Sequence, residues 1–358
     1  VGKLAGVAAR VVCAALATYT FACAVRLARS TPIGDAITRF ALAWAERGRR
    51  APALTTSRPR RESVARGGGR VTVASHRIHV HAQYALPTQS PVVGILDTGD
   101  DVVVATFDEG LFHRDADHFV RWHVEVDPRI NDIAAGSSGT LYVATGGGAY
   151  RLSPGAPATR LGSGAFSATA FWRGNAYFAS RRGLSQVDGS GLWTRGAAQG
   201  IAADQPASLA DCGPALCIGA VDGLWRFDGT RAERASSATD ALPADWVTAT
   251  AFGGGVLWAG TMDGGFARQD SEGWRRYAPE DGVPDGRVQT HGVLARSGGA
   301  LFATPTGLLG VRADSLFRFA PDAAVSEEPT SLAPAVAGGA WVGGRGRVWR
   351  VATEEVWP

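Results

Sequence analysis

His291 stands beside Thr290 on a short strand deep within its repeat, and an imidazole is the side chain best suited to moving protons near neutral pH. Chemistry needs a constellation, however, and no second His, Cys or paired carboxylate shares its local register, so His291 reads as a packing residue. His79 and His81 fall on one face of a strand by its period of two. Two ligands leave a zinc site one or two short, and solvent-facing histidines are the expectation there. The acidic turns at residues 97–101, 115–117 and 280–285 lack the spaced carboxylates and distant Glu of a calcium loop, and Asp and Gly are ordinary turn residues. The chain has no G-x-S-x-G, no G-x-x-x-x-G-K-[ST] and no H-E-x-x-H. A non-enzyme is therefore favoured, with no cofactor, no metal and no catalytic residue assigned.

The elements around these residues are legible. Residues 246–287 hold four short apolar runs separated by Gly-rich turns, including Gly253-Gly254-Gly255 and Asp263-Gly264, which supply the positive φ of tight hairpins. Looser copies recur from about Ser90 onward and align on Gly110, Gly148, Gly183, Gly223, Gly264, Gly307 and Gly346, at intervals of 38, 35, 40, 41, 43 and 39 residues. Each glycine follows an apolar run ending in small residues. Aromatics at Phe119 and Trp122, Trp193, Trp274 and Tyr277, and Phe317 and Phe319 mark outer strands. Four antiparallel strands per copy and seven copies predict an all-β, seven-bladed β-propeller over residues 70–358. Residues 77–84 precede the first copy and are expected to close the ring against the last blade.

Aligned innermost strands place Asp132, Ser167, Ser208, Thr248, Thr290 and Ser331 at one position, with Val93 in the first blade. They either form a polar ring lining the channel or satisfy backbone groups between blades. Cys212 and Cys217, in DCGPALC, are expected to sit opposite each other across a hairpin, within reach of a disulfide; a reduced, packed pair is the alternative.

The stretch Leu-Trp-Ala-Gly-Thr-Met-Asp-Gly at 257–264, with Trp274, Tyr277 and Asp281-Gly282-Val283-Pro284, resembles the propeller repeat in the sensor portions of bacterial two-component regulators. Fragments recur at Asp222-Gly223-Leu224-Trp225 and Ala241-Leu242-Pro243. The resemblance implies an extracytoplasmic ligand- or partner-binding domain, although Gly265 and Val283 replace the usual leucines and no kinase, transmitter or DNA-binding region accompanies it.

Residues 1–30 carry an uncharged run at 11–25 flanked by Lys3, Arg10, Arg26 and Arg29, which reads as a membrane anchor or as a signal segment cleaved near Ala22-Cys23-Ala24. Residues 31–69 hold an amphipathic helix with Ile33, Ile37, Phe40 and Trp44 as membrane or partner contacts, then an arginine-rich flexible linker. The net charge of +3 across 358 residues gives no basic stripe on the repeats, which argues against a nucleic-acid partner. The expectation is a membrane-tethered propeller, contacting lipid through its N-terminal segment and acting as a protein-binding or assembly subunit of a membrane complex. The alternatives are a small-ligand sensor and, less favoured, a propeller lyase or hydrolase. The resemblance puts the propeller in the periplasm, whereas Arg26, Arg29 and Arg39 outnumber Lys3 and Arg10 and point to the cytoplasmic face.

Overall fold

A computed structural model describes residues 73–352 apart from 190, 196–200, 202, 240–241, 314 and 321–327. These residues form seven sheets arranged around a ring, each a blade built on four antiparallel strands, with a fifth strand added to one of them. Blade 1 runs through Val92–Asp97, Val102–Thr106, Gly110–Asp115 and His118–Trp122. Blade 2 begins at Ile130–Ala135, blade 3 at Ala168–Trp172, blade 4 at Ser208–Asp211 and blade 5 at Val247–Gly253. Blades 6 and 7 begin at Val293–Arg296 and Ser331–Pro334. First strands touch in sequence around the ring, and the first strand of blade 7 meets that of blade 1.

Among the described residues the apolar core divides into seven clusters, one between each pair of neighbouring blades. Stability therefore lies between sheets, where aromatic residues such as Trp258, Phe266 and Phe302 are fully buried. Phe266 of blade 5 stacks on Phe302 of blade 6 with centroids 3.9 Å apart. Truncating such a side chain costs about 3–5 kcal/mol.

The small residues that end each second strand have two separate tasks. In blades 5 and 7 a glycine near the strand's end leaves room for a valine on the way into or within the following blade: a Cβ on Gly260 would lie 2.5 Å from Val288, and one on Gly343 would lie 2.7 Å from Val92. In blades 1, 2, 5 and 6 a threonine at the end of the strand closes the turn. Thr106 donates to the carbonyl of Gly110 at 2.9 Å, Thr145 to Gly148 at 2.8 Å, Thr261 to Gly265 at 2.7 Å and Thr304 to Gly307 at 2.8 Å. This pairing corrects the alignment in two blades. In blade 5 the turn glycine is Gly265, at φ 98°, rather than Gly264. In blade 7 the equivalent position, one past the Gly343–Val348 pair, is Arg347, so Gly346 sits one residue early.

The Asp-Gly-Val-Pro phrase has a local cause. The Asp281 carboxylate accepts the Ala278 N–H at 3.2 Å, Gly282 takes φ 102°, and Val283 turns inward and is buried against the blade 5 to blade 6 cluster.

Ring closure uses the N-terminal side of the domain. His79–Ala85 pairs antiparallel with Arg347–Ala352 and is the outer strand of blade 7. His79 and His81 are exposed on it, while Tyr84 packs against Phe119 of blade 1 and Trp341 of blade 7. The preceding strand, Val73–Arg77, lies parallel to Ser315–Ala320 as a fifth strand on blade 6. Arg77 thus belongs to blade 6, and the closing segment begins two residues later than the sequence suggests. A buried Ile78, 3% exposed, separates the two strands and marks the crossing.

Candidate functional site

The centre of the ring holds a cavity of about 250 Å³ lined by Asp132, Thr169, Phe171, Ser208, Thr250 and His291, which come from blades 2 to 6. Its distinctive member is His291. Blade 6 opens with a turn at residues 289–292 in which the Gly292 N–H bonds to the Gln289 carbonyl at 2.8 Å. Ala303 in the second strand bonds on both sides of that turn, accepting from Gln289 at 2.9 Å and donating to Gly292 at 2.8 Å. Thr290 and His291 are thereby pushed out of the ladder, and His291 takes φ 64°, a conformation uncommon for a side chain other than Gly, Asn, Asp or His.

The imidazole crosses to blade 2. Its Nε2 lies 2.9 Å from the carbonyl oxygen of Asn131, 160 residues away in sequence. A carbonyl only accepts, so Nε2 carries the proton. Its Nδ1 lies 3.4 Å from Oδ1 of Asp132. Asp132 is 7% exposed, and its two oxygens accept from the backbone N–H groups of Ile133 and Thr169, each at 2.8 Å. Burial pushes the Asp132 carboxyl above its usual pKa, against the pull of the His291 charge and the two N–H donors. A buried carboxyl facing an imidazole is acid–base material in kind. Here, however, each group is already bonded to backbone: the pair ties blade 6 to blade 2, and Asp132 ties blade 2 to blade 3.

The polar residues expected at one inner position occupy three. Asp132, Ser208 and Ser331 lie opposite Ala144, Gly219 and Gly343 of their second strands. Thr248 falls at the register shift between Val247 and Ala249, and Ser167 bonds to Ala179 one residue ahead of the Ala168–Ala179 pair. Thr290 is exposed on the extruded turn. The physical reason is a β-bulge, which inserts a residue and reverses the alternation of faces beyond it. Asp132 and Ser208 line the cavity. Thr248 is buried between blades and donates to the Val288 carbonyl at 2.8 Å, while Ser167 donates to Ala179 at 3.3 Å. Ser331 is buried against Gly343, its hydroxyl without a hydrogen-bond partner among the described residues. Asn131 and Thr330 had drawn no notice in the sequence. The first donates to the Phe166 carbonyl at 2.6 Å and the second to Val92 at 2.7 Å, each bridging to the next blade.

Cys212 and Cys217 lie within disulfide reach, with Cα atoms 5.9 Å apart. They are diagonal rather than opposite. Asp211 pairs with Leu216 and Ala210 with Cys217, which leaves Cys212 as the first turn residue, its N–H bonded to Ala215 at 2.9 Å. Ile33, Ile37, Phe40 and Trp44 lie outside the described residues, as does the anchor at residues 1–30. Among the described residues no helix is long and apolar enough to cross a membrane, and no group of three or more His, Cys, Asp or Glu is placed to hold a metal ion.

No family model and no curated protein matches the sequence. Solved structures do match in fold. A streptogramin B lyase superposes with TM-score 0.63 at 14% identity over 76% of this chain and 97% of its own. A protein described as YCF48 bound to D1 peptide gives TM-score 0.60 at 13% identity over 79% and 100%. The extracellular domain of the putative hybrid two-component system BT4673 of B. thetaiotaomicron gives 0.59 at 15% identity over 76% of this chain, which spans 39% of that domain. The structural neighbours thus include extracellular domains of bacterial two-component systems, the group whose repeats the sequence resembles.

Proposed function

We propose that this chain is a membrane-tethered binding subunit whose extracytoplasmic propeller presents loop faces to a protein partner in a larger membrane complex. The observation that carries this reading is the use made of the inner polar groups. Asn131, Asp132, Thr248, His291 and Thr330 all bond to backbone of another blade. Their polarity serves a braced ring, which leaves the loops as the surface free to recognise something. Neighbours of the same architecture include one bound to a peptide and others that are extracellular domains, in keeping with partner binding outside the cytoplasm. Lipid contact through residues 1–69 belongs to the same proposal.

The test is purification of the tagged full-length chain from its native membrane in mild detergent, followed by chemical crosslinking and mass spectrometry. A second protein crosslinked in fixed ratio to loop residues is the expected result. A chain that migrates alone and crosslinks to nothing overturns it.

A second reading, small-ligand sensing, is favoured by the sensor-system neighbours and by a cleft between two blades.

A further inference from the structure

The cleft opens between blades 4 and 5, has a volume of about 480 Å³, and is lined by Arg226, Asp228, Arg231, Glu233, Phe252 and Gln269 among others. Its size falls in the range of small-molecule sites, about 300–1,000 Å³. Its wall on the blade 4 side includes Cys212 and the hairpin that follows it. Trp172 and Arg173 of blade 3 hold that hairpin from behind, donating to the carbonyls of Gly213 at 3.0 Å and Pro214 at 2.9 Å. The opposite side carries Phe252, a large apolar side chain that is 38% exposed.

The charges in the cleft are unequally paired. Asp228 and Glu233 share one cation, Arg231, at 3.7 and 3.0 Å. Asp228 is held at a pKa of about 2 by the Arg231 backbone N–H and by Thr230, so it is ionised throughout the neutral range. Asp270, also on the wall, has its own partner in Arg268 at 3.4 Å. Arg226 has no carboxylate partner among the described residues; its Nη1 donates to the neutral amide oxygen of Gln269 across the blade boundary at 2.9 Å. Arg226 faces Glu233 directly across a strand pair of blade 4, so a half-buried cation without a carboxylate bond stands beside two carboxylates that have a single cation between them.

We propose that this cleft binds an amphipathic zwitterion, an apolar amino acid or short peptide, with its carboxylate on Arg226, its ammonium group at Asp228 and Glu233, and its side chain against Phe252. Guanidinium–carboxylate bonds are charge-assisted and directional, and both ligand charges find an opposite charge without a net-charged site. An apolar side chain covering Phe252 removes its exposed ring from water. The site extends the small-ligand reading and is independent of protein docking, so either can fail while the other stands.

The experiment is calorimetric titration of the full-length protein in detergent with L-phenylalanine and with the dipeptide Phe-Phe. N-acetylphenylalanine and phenylalaninamide serve as probes that each lack one charge. Saturable binding of at least one zwitterion is expected, and whichever binds more tightly identifies a free amino acid or a peptide as the source. Loss of either charge weakens binding by tenfold or more, as does Arg226→Gln. Phe252→Ala weakens it less. Thermal midpoints of the variants, compared with wild type, separate loss of the site from loss of the fold. No binding of either zwitterion to the wild-type protein overturns the proposal. So does equal binding by a folded Arg226→Gln protein or by the singly charged probes.

Discussion

The Nδ1 of His291 and the Oδ1 of Asp132 lie 3.4 Å apart although they belong to blades 6 and 2, and the imidazole bridges the channel to reach the carboxylate. His291→Ala leaves the buried Asp132 carboxyl without the imidazole that faces it, and a loss of roughly 3 kcal/mol is expected at neutral pH. The sign of the pH dependence follows from Asp132, whose folded pKa is raised by burial. Stability linked to a raised pKa is present below the unfolded value and is lost as pH rises through the folded one. Below about pH 4 the carboxyl is neutral with or without His291. Denaturant unfolding of wild type and His291→Ala should therefore diverge at pH 7 and converge toward pH 4. A difference of the same size at both pH values would show that His291 acts through packing alone.

Asp97 and Trp341 join the first and last blades. The indole N–H donates to Asp97 Oδ2 at 2.8 Å across 244 positions, and the Val336 and Gly99 N–H groups also donate to this carboxylate. Burial acts to raise the Asp97 pKa, but the Trp341 bond and the two backbone donors outweigh it and the net shift is downward. For a depressed pKa, stability is present above the unfolded value and lost as pH falls through the folded one. Trp341→Phe keeps an aromatic side chain but removes the donor and part of the buried ring, at a cost of about 1–2 kcal/mol for the bond with a further cost for the lost volume. Its unfolding midpoint should also fall less steeply than that of wild type as pH drops below 4.

Because His79–Ala85 is the outer strand of blade 7 and Val73–Arg77 caps blade 6, deleting residues 70–86 opens the ring and exposes two strand edges. Differential scanning calorimetry should show a far lower midpoint for that deletion than for removal of residues 1–69. Equal midpoints would rule out a stabilising role for the closure.

Cys212 and Cys217 are expected to be oxidised in protein from an extracytoplasmic compartment. A bond closing so short a loop contributes about 2 kcal/mol by restricting the unfolded chain. Peptide mass spectrometry under non-reducing conditions should show the linked pair, and reduction should lower the midpoint by a few degrees. Two free thiols in native protein would remove this support for export.

The sequence by itself determined the number of blades and most strand positions, because those features are local. In most blades the turn between the second and third strands carries a glycine at positive φ, as at Gly110 and Gly265, with a small hydroxyl residue such as Thr106 or Thr261 before it to close the turn. The outer strands announced themselves through Trp193, Trp274 and Tyr277, and the lack of an earlier blade implied that a segment near His79 closes the ring. What the tertiary structure alone decided is which inner residues face the channel and what they touch. Register shifts at Val92/Gly94, Ile130/Asp132 and Val247/Ala249 displace the pattern by one residue without a distinctive residue type to signal them. The turn at residues 289–292 then turns His291 from an apparent strand residue into a bridge to blade 2. Its partners, Asn131 and Asp132, are 160 and 159 positions away and become neighbours only because seven blades close into a ring, a long-range consequence that local patterning does not encode.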